Sequence, residues 1–325
     1  MGMMTRARGE LLADGGPALA LVALAALLPA LASSEYVLLA ASMIVTALVA
    51  VSFNLLFGYT GMFSFGQAVF YGLGAYATVL LMSEAGSASF YLALAGGIVV
   101  AMAVGAASGV VLVRLEPVAF IMLTFALSAL LQFAAAHSPR LTGGDSGSIA
   151  KLPSGLNVVV SIDGVYYAML AIAAVTLAGA FVFVRSRAGL ILRGIREDAL
   201  RARTLGVAVE RRKLGVWILA AGVAAVGGGL SVLSSQIVYP DVFDWKVSAN
   251  ALIVTLLGGV GSFSGPVVGA VLLGLIDFYV GKLTTDTLLV EGAVLLVVIL
   301  LAPRGVLSLR RSRRPNPRLA GPVRQ

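Results

Sequence analysis

The sequence predicts an all-α protein, a polytopic transmembrane helical bundle with about ten membrane segments. The first observation is composition: 59% of the 325 residues are hydrophobic and only 12% are charged, whereas about a quarter of the residues in soluble domains are charged. The second is that apolar runs of about 17 to 25 residues, long enough to cross a bilayer as helices, follow one another along the chain. Cysteine is absent and His137 is the single histidine, which excludes disulfides and a multi-histidine metal centre.

Ten apolar runs predict the individual spans. They are residues 17–33, 36–57, 65–82, 90–113, 117–135, 165–184, 214–238, 247–260, 265–281 and 288–302. The eighth run is short, which favours a half-helix or a re-entrant segment. The first run could instead be a signal peptide, but its length and its close junction with the second run favour a span.

Positive charge is concentrated in two connections. Residues 185–213 carry nine Lys and Arg and residues 303–325 carry seven, together 16 of the 23, whereas the loop 136–164 carries only two. The positive-inside rule places the first two segments in the cytoplasm and the loop 136–164 on the outside of the membrane.

Both termini are therefore predicted to be cytoplasmic. The N-terminal segment 1–16 carries Arg6 and Arg8, and the C-terminal tail 303–325 carries no acidic residue. With both termini on one side, the membrane domain 17–302 crosses the bilayer an even number of times, which ten spans satisfy. A topological anchor beside membrane lipid explains the basic tail, so no nucleic-acid partner is predicted.

Glycine is abundant in the predicted helices, as expected where helix backbones approach closely in lipid. Gly105 and Gly109 have the spacing of such contacts, as do Gly265 and Gly269. The predicted structural glycines are Gly58, Gly61, Gly72, Gly74, Gly258, Gly259, Gly261, Gly265 and Gly269.

A weak internal repeat accompanies these glycines. Residues 56–64 resemble residues 257–264 in their placing of glycine, phenylalanine and serine. Each segment follows an apolar helix and precedes a glycine-rich one, and internal repeats are common in transporter folds. Chance similarity between glycine-rich junctions explains the likeness equally well, so no conclusion is drawn from it.

The cytoplasmic loop 185–213 contains a predicted short amphipathic helix. Charged residues and alanines within 197–203 favour the helix, and Gly206 is a plausible C-terminal stop. Apolar residues recur on one side at helical spacing, namely Ile195, Ala199, Ala202 and Leu205. Such a helix could lie on anionic headgroups or fit a groove on another protein, which its mixture of acids, bases and an apolar ridge suits equally well.

Polar side chains inside predicted spans are costly and therefore mark candidate functional positions. Six of them are candidates for the translocation path: Asn54, Ser64, Gln67, Thr124, Ser128 and Gln132. Asp277 and Glu291 are the only acids well inside predicted spans. They favour either an ion-coupled transporter or, more simply, acids near helix ends or paired across helices.

Catalytic motifs are missing from the sequence. It contains no complete G-x-x-x-x-G-K-[ST] phosphate loop, no HExxH and no nucleophile with a nearby histidine. The chain is therefore predicted not to be an enzyme, and any energy from ATP must come from another chain.

Four blocks of sequence share their order and spacing with one transporter family. The first block contains Gly58-Tyr59-Thr60-Gly61 and Ser64-Phe65-Gly66-Gln67, and the second contains Thr142-Gly143-Gly144. The third contains Arg196-Glu197-Asp198 and Leu205-Gly206-Val207. The fourth contains Pro240-Asp241, Gly258-Gly259-Val260-Gly261-Ser262 and Gly265-Pro266-Val267-Val268-Gly269. Across roughly 36–307 the chain resembles the permease subunits of branched-chain amino acid ABC importers.

The resemblance implies a multi-pass protein of the bacterial inner membrane that imports branched-chain or hydrophobic amino acids from the periplasm. It implies pairing with a second, related permease, two cytoplasmic ATP-binding subunits and a periplasmic substrate-binding protein. ATP and Mg²⁺ would be bound by the partner subunits, and this chain would need no cofactor. The segment that docks on an ATPase would comprise Arg193, Ile195, Arg196, Glu197, Asp198, Ala199, Ala202, Leu205 and Gly206.

Two departures from the family pattern bear on the solute. The family's Thr-Gly-Gly block usually continues in a Ser-Asp-Gly-like order, whereas residues 145–147 are Asp-Ser-Gly. Family members often carry Gln or Glu shortly after the position of Thr124, whereas residues 125–129 are Phe-Ala-Leu-Ser-Ala. Related permeases handle urea or amides, so these solutes are an alternative.

Overall fold

The apolar runs form helices whose bounds follow the turn chemistry at their ends. The computed structural model describes residues 33–84, 90–150 and 161–282, with isolated positions within 16–29 and at 152, 158 and 292. The predicted spans 17–33 and 288–302 and the predicted terminal segments 1–16 and 303–325 lie outside the described residues, apart from those positions.

Eight apolar helices form the described part of the membrane domain. They are α1 (Ser34–Thr60), α2 (Gln67–Glu84), α3 (Phe90–Leu112), α4 (Pro117–Ala136), α6 (Ile162–Arg185), α9 (Val209–Ser235), α10 (Trp245–Gly258) and α11 (Gly265–Gly281). The connections contain shorter elements, which are α5 (Pro139–Thr142), β1 (Ser148–Ile149), α7 (Arg187–Glu197), α8 (Ala199–Thr204), β2 (Ile237–Val238) and two 3-10 helices at Gly144–Ser146 and Pro240–Phe243.

The eight predicted spans within this region are confirmed as helices, with one substantial shift. The predicted span 214–238 is helix α9, which begins at Val209 and ends at Ser235. Three cations predicted to lie in the cytoplasmic loop, Arg211, Arg212 and Lys213, therefore belong to the first turns of α9, because a helix can extend beyond its apolar stretch with its charged turn in water. At the other end Gln236 adopts a left-handed conformation (φ 59°), which stops the helix before β2.

Helix length separates two groups. Among the described residues, α1, α3, α4, α6 and α9 are long and apolar enough to cross a membrane. Helices α2, α10 and α11 are shorter. The 14 residues of α10 extend about 21 Å at 1.5 Å per residue, less than the roughly 30 Å hydrocarbon core. The prediction that the eighth segment is short is confirmed.

Helix α9 is the centre of the bundle. In the most apolar 18-residue stretch of α9, 83% is buried inside the chain, whereas the corresponding share for α4 is 22%. It packs against α1, α2 and α3, while α10 and α11 pack against each other and against α1. Helix α4 thus leaves most of its apolar surface to lipid or to another protein.

Helix α6 separates the two polar connections. Its 24 residues span about 36 Å, so the described residues 137–150 and residues 186–208 lie at opposite ends of the bundle. At the first end β1 pairs antiparallel with β2. At the same end Lys282, just after α11, contacts Glu35 at the start of α1, with 3.7 Å between Nζ and Oε2.

Small residues lie where helices touch, as the glycine spacing predicts. A Cβ added to Gly105 would meet Ala221 of α9, and one added to Gly269 would lie 2.0 Å from the Val254 carbonyl oxygen of α10. Close backbone approach replaces apolar burial as the source of helix association in lipid.

Replacing Gly228 in α9 should test this packing. Its added Cβ would lie 1.9 Å from the Tyr71 carbonyl oxygen of α2, so Gly228→Ala should destabilise the protein by about 1–3 kcal/mol through overpacking. Gly179→Ala is the matched control, because nothing lies within 4 Å of its added Cβ. Thermal unfolding of the detergent-solubilised protein should show a lower midpoint for the first variant only; equal midpoints would contradict the packing.

Candidate coupling loop and membrane path

The loop after α6 begins with a sharp turn. Ser186 follows the last residue of α6, and its hydroxyl accepts a hydrogen bond from the Ala188 N–H at 3.2 Å. This N-cap starts α7 immediately, because it satisfies a backbone donor that the first helical turn leaves free. The loop is therefore helical from its beginning.

The helix predicted within 197–203 is in fact divided at Asp198. Helix α7 ends at Glu197, and Asp198 is extended (φ −158°, ψ 100°) with its carboxylate accepting from the Arg201 N–H at 2.9 Å. Asp198 thus caps α8, since a short acidic side chain competes with the helical backbone for its donors. Gly206, at φ 83°, follows the end of α8 and confirms the predicted stop.

The loop has an inner face that packs on its own membrane domain. Leu192 and Ile195 are 2% exposed and Ala202 is 8% exposed, so the predicted apolar side exists. Ala199 is half-buried. Leu205 was predicted on the same side but is 78% exposed, because α8 ends at Thr204 and the helical phase is lost.

The opposite, outer face of the loop carries three exposed leucines among charges of both signs. Leu190 and Leu200 are each 70% exposed, and Leu205 is 78% exposed. Glu197 and Arg201 are exposed beside them. Large apolar side chains left in contact with water in this way are typical of a surface that another protein covers.

Two arginines of the loop turn toward the membrane domain. The Arg193 guanidinium lies 5.2 Å from the centroid of the Tyr59 ring, within the range of a cation–π interaction. Arg196 donates from Nη1 to the Gly58 carbonyl oxygen. Both contacts are with the last turn of α1.

The end of α1 meets the turn between α10 and α11, which are the two segments of the weak sequence repeat. Asn54 donates to the Ser262 carbonyl at 2.9 Å and accepts from the Gly261 N–H at 3.0 Å. A Cβ at Gly58 would lie 2.9 Å from the Gly261 nitrogen. We call residues 56–64 and 257–264 the paired junction.

Three residues of the predicted translocation path hold irregular backbone in place. Thr124 accepts from the Phe65 N–H at 3.2 Å, and Ser128 donates to the Phe243 carbonyl at 2.5 Å. Ser64 accepts from the Gly66 N–H at 2.8 Å. Their hydroxyls bond the segments that precede α2 and α10, where helical hydrogen bonds are missing.

Gln67 differs from these three. It is the first residue of α2 and is fully buried, and within the described part of the chain neither polar atom of its side chain has a hydrogen-bond partner. Gln132, the remaining predicted path residue, is half-buried on α4. Gln67 is therefore the member of the set whose buried polar atoms have no partner among the described residues.

Sequence reasoning missed the residues around Gln67. Ser248 of α10 accepts from the Ala68 N–H at 2.9 Å and donates to the Phe65 carbonyl at 2.7 Å, so it joins the starts of α2 and α10. Phe65, Phe125 and Trp245 form a partly exposed aromatic cluster with ring centroids 6.0 to 6.2 Å apart. The polarity of Ser248 was visible in the sequence, but its pairing with a distant turn was not.

Asp277 lies near the end of α11, which agrees with the expectation that it is an acid near a helix end. It lines a cavity of about 270 Å³ between α1, α10 and α11, together with Ser42, Thr46 and Asn250. Glu291 lies outside the described residues. Within the residues that the structure describes, no group of three or more His, Cys, Asp or Glu could hold a metal ion.

Comparison with known proteins gives a consistent family. The model of the branched-chain amino acid transport system permease component matches residues 35–303. The chain is 25% identical to the permease LivM of Salmonella typhimurium, covering 90% of this chain and 75% of LivM. It is 24% identical to LivH of Escherichia coli K12, covering 81% and 91% respectively. No solved structure matches the chain.

Asn54 should be essential to the stability of the paired junction. Asn54→Ala leaves the Gly261 N–H and the Ser262 carbonyl without their partner, which costs about 1–3 kcal/mol for each buried group left unpaired. Thr176→Val is the control, because Thr176 bonds only the Ile172 carbonyl of its own helix. We expect a lower unfolding midpoint for Asn54→Ala alone, measured in detergent; a midpoint equal to that of Thr176→Val would show that the junction does not depend on this amide.

Proposed function

Since the chain belongs to the family of branched-chain amino acid transport system permease components, we propose that it is the membrane-spanning subunit of an ATP-driven importer. The observation that carries this proposal is the outer face of the loop, with Leu190, Leu200 and Leu205 exposed among acids and bases. Such a surface suits a groove on a cytoplasmic ATP-binding subunit. ATP and Mg²⁺ would bind to that subunit.

The proposed orientation follows from charge and from the length of α6. The basic loop lies at one end of α6, and the weakly charged described residues 137–150 lie at the other. The positive-inside rule then places the outer face in the cytoplasm and β1 with β2 in the periplasm of a bacterial inner membrane. We propose about ten spans in total, with both termini cytoplasmic.

The two faces of the loop give the proposed mechanism. Closure of an ATP-bound pair of ATPase subunits would displace the outer face, and the inner face would carry that displacement into the helices because Leu192 and Ile195 are buried against them. Close-packed interfaces of this kind transmit movement, since they switch between discrete packings instead of deforming smoothly. Access would then change from periplasm to cytoplasm.

Branched-chain and other hydrophobic amino acids are the proposed solutes. The aromatic cluster of Phe65, Phe125 and Trp245 offers apolar surface to an aliphatic side chain. Gln67, two residues after Phe65, has a buried amide without a partner among the described residues. It lies at the N-terminal end of α2, where the helix dipole favours an anionic group such as the solute carboxylate. This arrangement suits an amphipathic amino acid better than urea.

The proposed assembly contains a second permease. Relatives named both LivM and LivH match this chain, which supports pairing of two related permeases. The exposed apolar surface of α4 is available to such a neighbour. A periplasmic substrate-binding protein would deliver the solute at the end of the bundle that carries β1 and β2.

Leucines of the outer face should be required for docking. Leu200→Glu with Leu205→Glu should abolish co-purification with the ATPase subunits and ATP-dependent leucine uptake, because charge replaces the apolar contact. Leu141→Glu is the matched control for co-purification, because Leu141 is 67% exposed at the end of the bundle opposite the outer face. Uptake by the double variant at the wild-type rate would refute the docking role.

The same uptake assay separates the competing functions. Excess unlabelled urea or acetamide should leave leucine uptake unchanged, whereas competition by either would favour an amide permease. Uptake by the purified chain alone, driven by an ion gradient without ATP and lost in Asp277→Asn, would favour an ion-coupled transporter.

The orientation has a separate test that uses the absence of cysteine from the chain. Single variants Leu200→Cys and Leu141→Cys place a thiol on each polar end of the bundle. In intact cells a membrane-impermeant maleimide admitted to the periplasm should label position 141 and leave position 200 unlabelled. Labelling of position 200 under these conditions would invert the topology and exclude cytoplasmic docking.

A further inference from the structure

We infer that Arg196 is a positioning residue that connects the loop to the paired junction and so transmits movement from the ATPase to the membrane helices. This inference rests on the proposed function and assigns a specific part of it. Arg196 was expected to lie in the surface that docks on the ATPase. Its guanidinium donates to the Gly58 carbonyl of its own membrane domain, while the residue as a whole stays exposed.

The Gly58 carbonyl is available because of how α1 ends. In a continuing helix the Met62 N–H would bond this carbonyl, but the chain turns at Gly61 (φ 75°) and the Met62 N–H bonds the Leu56 carbonyl at 3.2 Å instead. A helix C-terminus concentrates partial negative charge and unpaired carbonyls. A guanidinium is the side chain best suited to it, since it remains charged and offers several donors.

Arg196 lies between both halves of the paired junction. A Cβ at Gly61 would be 3.5 Å from the Arg196 Cγ, and one at Gly261 would be 3.0 Å from Nη1. Both glycines have positive φ, at 75° and 78°. The side chain therefore contacts the end of α1 and the turn between α10 and α11 at the same place.

From this place, contacts continue to the predicted solute site. Asn54 bonds the Gly261 and Ser262 backbone to α1, so the two halves move as one. Helix α10 leads from that turn back to Ser248, which bonds the Phe65 carbonyl and the Ala68 N–H on either side of Gln67. A displacement of the loop at Arg196 thus reaches the start of α2 through hydrogen-bonded backbone at each step.

Replacing Arg196 should separate ATP hydrolysis from transport in the reconstituted complex. Arg196→Gln removes the charge and shortens the side chain. The amount of leucine imported per ATP hydrolysed should therefore fall about tenfold or more, because a hydrogen bond from a charged group is lost. ATPase subunits should still co-purify, because the outer face is unchanged. Arg196→Lys should recover part of the ratio, since the ammonium can donate to the same carbonyl. Arg114→Gln, an exposed cation outside the loop, should match wild type.

A covalent link offers a second, reversible test. The pair Gly61→Cys and Arg196→Cys places two thiols where Gly61 and Arg196 meet, in a chain that otherwise has no cysteine. In its reduced form this variant should import as little leucine per ATP hydrolysed as Arg196→Gln does. In its oxidised form the disulfide should replace the lost contact and restore the amount of leucine imported per ATP. Gly61→Cys alone, with Arg196 retained, measures the cost of a side chain at positive φ.

The outcomes are distinguishable. A wild-type ratio in Arg196→Gln, or an oxidised cysteine pair that remains as uncoupled as the reduced one, would overturn the assignment of Arg196. Should Arg196→Gln fail to assemble, the comparison of the oxidised and reduced pair decides. Failure of the wild-type complex to bind ATPase subunits or to import leucine would instead refute the proposed function.

Discussion

Hydrocarbon offers no hydrogen bonds to a polypeptide backbone, and the irregular segments of this protein exist only because side chains supply those bonds. The helices satisfy their own backbones. The breaks before α2 and α10, and the turn between α10 and α11, do not. Ser248, Thr124, Ser128 and Asn54 provide the missing partners, each from an element distant in sequence. These few contacts fix how the short helices sit against the long ones.

The same constraint explains the two faces of the basic loop 186–208. Its inner face satisfies the end of α1, where Arg196 takes the carbonyl that the turn at Gly61 leaves free. Its outer face makes no such contact within the described part of the chain and leaves three leucines exposed. A loop attached firmly on one side and exposed on the other is suited to carry movement from a neighbouring protein into the bundle.

Polar residues inside the spans therefore divide by role. Four of the six path candidates, Asn54, Ser64, Thr124 and Ser128, bond backbone groups. Gln67 is the member of the set whose buried side-chain polar atoms have no hydrogen-bond partner in the region that the structure describes. Polarity within an apolar run shows that a residue has some task. It does not show whether the task is structural or lies in the solute path, because that depends on which backbone groups lie nearby.

Sequence patterns were enough to predict the class of protein, the helices and the basic loop, because span length, composition and charge asymmetry follow directly from the physics of a bilayer. They also placed Gly206 at the end of a helix, but not the division at Asp198, whose side chain competes locally with the helical backbone. The meeting of the two similar glycine junctions and the bond from Arg196 to the end of α1 are visible only in the folded chain. Those contacts join residues far apart in the chain, and local sequence preferences carry no information about which distant backbone groups will be left unpaired.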